Sequence, residues 1–166
     1  MGVLEYLCAP VDNSALIAYR IMWGLIMFYE CTRFSANNFI KADQYYVKPE
    51  FHGKYYGFEW VEPWGEAGIH LHLYAMMIAA LGIAAGCLYP LCTLFFAISW
   101  TYFILIDSII YLNHFYLIAV IAFLLALLPA NRTLSIDVVL FPSIRSSTMP
   151  RYAMWLLRAE QVNSRN

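Results

Sequence analysis

A carboxylate, an amide and an imidazole interrupt the hydrocarbon stretch between Leu91 and Pro129: Asp107, Asn113 and His114. An imidazole exchanges protons near neutral pH, and a neighbouring amide or carboxylate selects its tautomer. Lipid penalises such groups unless they face protein or water, so the trio marks a polar pocket where two apolar runs turn. The alternative is a turn-capping cluster at the bilayer edge. A fourth candidate is Arg20, about two turns into the first apolar run. Its head either snorkels back to the near interface or points into the bundle.

The remaining histidines suggest less. His70 and His72 lie two residues apart, about 200° apart around a helix, so they do not share a face. With His52 they read as interfacial side chains. Neither an HExxH pattern nor a Cys/His cluster occurs, and no metal is expected. Cys8, Cys31, Cys87 and Cys92 sit in or beside apolar runs and read as small buried hydrophobes. There is no nucleophile elbow, phosphate loop or dinucleotide fingerprint.

The elements that must position these groups are apolar helices. Hydrophobic residues make up 62% of the 166 and charged residues 13%, about half the charged share of an ordinary soluble chain. A net charge of -1 offers no face for nucleic acid, and no dense Lys/Arg cluster offers polybasic lipid recognition. The reading is an all-α, polytopic transmembrane bundle in a lipid bilayer. It has four complete spans, at about 14–34, 69–88, 91–110 and 115–129, and the start of a fifth at 150–157. Asp12-Asn13-Ser14 opens the first span, Gly82 and Gly86 form a small-residue pair in the second, and Tyr89-Pro90 is expected to end it. The connection 35–68 is rich in aromatics and reads as an ordered cap on the membrane surface. Residues 130–149 read as a loop with a short amphipathic helix around Leu134 to Phe141. Positive-inside counting is close to balanced; the N-terminus is placed inside.

Three stretches carry a likeness, in order along nearly the whole chain. They are Tyr46-Val-Lys-Pro-Glu-Phe-His with Tyr55-Tyr-Gly-Phe-Glu-Trp, then Tyr111-Leu-Asn-His-Phe-Tyr-Leu, then Leu128-Pro-Ala-Asn-Arg-Thr-Leu-Ser-Ile-Asp137. Pro10-Val-Asp-Asn-Ser with Arg20 adds the entry to the first span. The chain resembles the vitamin K-dependent gamma-carboxylase family, in particular its bacterial members with the HTTM (horizontally transferred transmembrane) domain, over the N-terminal part of that domain. The resemblance implies oxidation of vitamin K hydroquinone, or another quinol, to an epoxide coupled to carboxylation of glutamate, a lyase chemistry. It implies an active-site role for His114, with Asn113 and Asp107 supporting, and a pocket-lining role for Arg20. It also implies a multi-pass protein of the bacterial inner membrane. The family's catalytic lysine lies on the span after the post-fourth-span loop, whereas the lysines here are Lys41, Lys48 and Lys54. The expectation is therefore a fragment inactive alone, whose partners are a missing C-terminal portion or other membrane helices. The alternative is a non-catalytic membrane protein that binds a quinone or lipid, or acts as an assembly partner.

Overall fold

Asn13 starts the first long helix. Its carbonyl accepts the Ile17 N–H at 3.1 Å, and the neighbouring Asp12 carboxylate accepts the Ser14 N–H at 2.8 Å. Hydrogen bonds from the Ser14 side chain and backbone hold Asp12 below the ordinary carboxylate range. The structure, a computed structural model, describes residues 3–36, 53–106 and 113–156. In chain order these form α1 (Val3–Cys8), β1 (Pro10–Asp12), α2 (Ser14–Ala36), α3 (Glu66–Ala85), α4 (Tyr89–Ile106), α5 (Asn113–Leu127), α6 (Ile136–Leu140), a single 3₁₀ turn at Pro142–Ile144, and β2 (Thr148–Pro150). Residues 151–156 are helical again. The first part of the aromatic connection with His52, the segment carrying Asp107, and residues 157–166 lie outside the described residues.

The fold is helical, and among the described residues two helices, Ala67–Ala85 and Tyr89–Ile106, are long and apolar enough to cross a membrane. At 23 residues α2 is long enough, about 35 Å, but it carries Arg20, Glu30 and Arg33. Helix α5 is apolar but has only 15 residues.

The turn between α3 and α4 departs from expectation. Helix α3 stops at Ala85 because Gly86 takes a left-handed conformation, φ 65°, and its N–H caps the helix end. Tyr89-Pro90, expected to close the second span, instead opens α4. Proline lacks only an N–H that a first helical turn leaves free, so it starts a helix as readily as it ends one.

Helices α2, α3, α4 and α5 pack in sequence order, each against the next. Glycine sets the closest approach, but not the expected pair. A Cβ on Gly24 would lie 2.7 Å from the Ala84 nitrogen and 2.8 Å from the Ala80 oxygen, so the α2 and α3 backbones meet there. Gly82 faces Cys92, and Gly86 faces Arg20 and Ser135. An aromatic ladder fills the space between α2, α4 and α5. Trp23 meets Phe96 edge-on at 5.3 Å, Phe96 stacks on Trp100 at 5.8 Å, and Trp100 meets Phe34 at 6.0 Å and Phe115 at 5.7 Å. The Trp100 indole N–H donates to the Phe115 carbonyl at 3.0 Å, tying α4 to α5.

The segment read as a loop with a short helix around Leu134 to Phe141 holds that helix, α6, and also a strand that was not expected. Ser135 caps α6 by accepting the Val138 N–H. Residues Thr148–Pro150 return to pair antiparallel with Pro10–Asp12, in the register Pro10↔Pro150, Val11↔Met149 and Asp12↔Thr148. Strands of three residues are too short for an alternating pattern to reveal them.

Candidate functional site

The helix directions place the candidate residues at two opposite ends. The starts of α2 and α4 and the ends of α3 and α5 share one end with the segment 128–150. The end of α2, the starts of α3 and α5, and the end of α4 share the other. Arg20 belongs to the first end and His114 to the second, separated by the length of α5, about 22 Å. They do not form one site.

Arg20 points into the bundle end and is 0% exposed. Its two terminal nitrogens donate to the carbonyls of Ala130 at 3.0 Å and Leu134 at 2.5 Å, while Nε has no hydrogen-bond partner among the described residues. The absent side chain of Gly86 makes room: a Cβ there would collide with the guanidinium and with Ser135. The Gly86 carbonyl in turn accepts the Asp137 N–H at 3.0 Å. Asp137 is buried too. Its carboxylate accepts the N–H groups of Leu88 (2.7 Å) and Tyr89 (3.1 Å) and the Asn131 amide (2.8 Å). It thus caps the start of α4 from another segment, where a negative charge also meets the helix dipole favourably. The Tyr89 hydroxyl donates to the Leu125 carbonyl at 2.6 Å. Asn13 closes the knot, donating to Thr133 at 3.0 Å and to the Ser146 carbonyl at 2.8 Å.

These bonds fold Leu128–Asp137 onto the ends of three helices. Their partners are mostly backbone carbonyls and N–H groups, so this end is built for holding rather than for reaction. Asp137→Asn keeps the volume but leaves one acceptor oxygen for three donors. Its expected cost is about 1–3 kcal/mol, read as a drop of several degrees in the Tm of detergent-solubilised protein. An unchanged Tm would show that the cap is dispensable.

At the other end, Asn113 and His114 form the first turn of α5, and both are exposed. The His114 ring meets the edge of Phe115 at 4.7 Å. Phe115 rests on Phe34 (5.9 Å) and Trp100, so the corner stands on a rigid aromatic floor. Asp107, the third member of the trio, lies outside the described residues.

Sequence reasoning passed over a neighbour at this end. His72, read as interfacial, is half-buried where α3 meets α4. It stacks on Tyr102 at 5.4 Å and 13°, with Phe103, Trp64 and Phe95 around it, and its Nε2 is buried without a partner among the described residues. The Tyr102 hydroxyl accepts the Trp64 N–H at 3.1 Å and donates to the Glu62 carbonyl at 3.0 Å, fastening residues 60–64 to α4. A cleft of about 420 Å³ lies between that segment and Ile98, Thr101, Tyr102 and Leu105. These residues are on the face of α4 turned away from Trp100 and Phe115, so the cleft and the His114 corner stand on opposite sides of α4. The only sequence signal for it was the density of aromatics.

The sequence profile of the HTTM domain matches residues 8–162. No solved structure matches the chain.

Proposed function

The chain belongs to the HTTM domain family, and from that premise we propose a multi-pass protein of the bacterial inner membrane whose His114 end handles the proton of a lipid-soluble quinol. In this reading α2, α3, α4 and α5 all cross the bilayer, with α2 keeping Arg20 inside the protein and Glu30 and Arg33 paired at its far end at 2.9 Å. The N-terminus and the segment after Pro129 face the cytoplasm.

The observation that carries the proposal is the exposure of Asn113 and His114. The fold uses Arg20, Tyr89 and Asp137 to tie its elements together, but it leaves the His114 imidazole open on an aromatic floor. Those residue types fit a hydroquinone: an imidazole can take a phenolic proton, an amide can orient the imidazole or the ring oxygen, and Phe115 offers a flat apolar neighbour. A bound hydroquinone would supply two electrons and an ionisable hydroxyl. His114 would accept the proton at a ring nitrogen, and Asn113 would hold the partner oxygen. Family chemistry further requires a lysine, and the lysines of these 166 residues, Lys41, Lys48 and Lys54, all lie in the connection between α2 and α3. Residues 1–166 alone are therefore expected to bind a quinol without turning it over.

Membranes carrying the chain, supplied with reduced vitamin K and O₂, test both statements. Quinol retention should fall about tenfold or more in His114→Ala, the loss of one or two good contacts, and stay unchanged in His70→Ala. No epoxide should form. Equal retention by wild type and His114→Ala would remove His114 from the site, and robust epoxidation would show that the lysine is not needed. The second reading, a non-catalytic binder, is favoured by the aromatic cleft beside Tyr102; quinol retention that follows Trp64→Ala rather than His114→Ala would select it.

A further inference from the structure

Two cavities flank the segment that Arg20 and Asp137 hold in place, and they differ in chemistry. One, of about 420 Å³, is walled mainly by Leu134, Ile136, Val138 and Val139. The other, of about 550 Å³, has a mixed wall, with Leu127, Leu128 and Ile144 beside Asn131, Arg132 and Ser146. Arg145 lines both. Among the described residues no acid lines either one; Asp137, the acid of this segment, is buried against the start of α4. Around them is an exposed apolar ledge, with Val139 78% and Leu134 75% accessible and Leu140, Phe141 and Leu127 also bare. The ledge lies at the ends of the two helices that are apolar enough for lipid.

An apolar trough and a mixed trough that carries two arginines, meeting at Arg145, have the form of a site for an amphiphile. We propose that this ledge holds an anionic glycerophospholipid, its phosphate between Arg132 and Arg145 and an acyl chain along Leu134, Ile136 and Val139. The inference rests on the membrane reading above but not on the quinol or on His114. Charge complementarity selects the headgroup: two guanidinium groups, each able to grip a phosphate with two donors, line the site without a competing carboxylate among the described residues. The apolar ledge selects a lipid over a free anion, because bare leucine, valine and phenylalanine beside a membrane end gain nothing from water. Arg132 and Arg145 are thirteen residues apart and form no basic cluster in the sequence. The fold brings them together through the bond from the Ser146 N–H to the Arg132 carbonyl at 3.1 Å.

The test uses the full chain in nanodiscs of phosphatidylcholine with or without phosphatidylglycerol, with retained lipid read by native mass spectrometry. Wild type should retain phosphatidylglycerol selectively. Arg132→Gln with Arg145→Gln should weaken that preference about 30-fold, from roughly a fivefold contribution per arginine at a membrane surface. Arg132→Lys with Arg145→Lys should keep much of it, and Arg33→Gln at the opposite end should change nothing. The double Gln variant should keep the wild-type Tm, which separates lost charge from lost fold. Equal retention of both lipids, or a double variant that still prefers phosphatidylglycerol, would overturn the proposal. Displacement by millimolar inorganic phosphate would identify a free-anion site and overturn the lipid occupant. Release of the chain by alkaline carbonate would overturn the membrane reading and this proposal with it, whereas a membrane-retained chain without lipid preference overturns this proposal alone.

Discussion

Arg20→Met should be among the most damaging single substitutions in the bundle, at about 2–5 kcal/mol. It leaves the carbonyls of Ala130 and Leu134 buried without donors, each worth about 1–3 kcal/mol, partly offset by removing a buried charge. For a chain of this size that corresponds to a Tm about 5–15 °C lower. Arg20→Lys should recover little. An ammonium cannot span two carbonyls four residues apart in the way a planar fork does. A second readout is specific to the mechanism. The arginine fastens the segment that carries Arg132 and Arg145, so trypsin should cut at those two sites faster in Arg20→Met than in wild type. A Tm within about 2 °C of wild type, with unchanged trypsin resistance, would mean that the segment is held by its other bonds.

The second large effect is expected at Gly24. A methyl group there must displace the backbone of α3 at Ala80 and Ala84, and backbone cannot rotate aside. Gly24→Ala is expected to cost about 1–3 kcal/mol by forcing the helices apart, and Gly24→Leu more. Gly82→Ala makes the instructive comparison. Its nearest obstacle is the Cys92 thiol at 2.6 Å, a side chain that can turn. The prediction is an ordering, with Gly24→Ala lowering Tm more than Gly82→Ala, and detergent-phase thermal unfolding reads it directly. The reverse ordering would return the helix contact to the Gly82–Gly86 pair.

Of these two residues the linear reading marked Arg20 and passed over Gly24. Gly24 stands alone in α2, and a single glycine has no motif to announce it; its role depends on which face of α2 meets α3. Gly82 and Gly86 satisfied the small-residue pattern, yet one faces the Cys92 side chain and the other closes a helix with a positive φ. The same logic applies to Tyr89-Pro90. Proline punctuates helices, but its sequence does not say on which side of the boundary it falls. Asp12-Asn13-Ser14, by contrast, was readable, because a cap acts through bonds to residues only a few positions away.

Composition alone made this a helical chain suited to lipid, since so much apolar surface with so few charges cannot be hidden in a small soluble core. It also marked His114 and Arg20 as polar groups in need of a reason. Tertiary structure decided what each does. It set them at opposite ends of the bundle, spent Arg20 on two carbonyls, packed a half-buried His72 among aromatic rings, and left His114 open. It also gathered Arg132 and Arg145 to one cavity. The physical reason is range: hydropathy and capping are local properties that accumulate along the chain, whereas the partner of a buried charge is fixed by which distant backbone groups packing brings within hydrogen-bond reach.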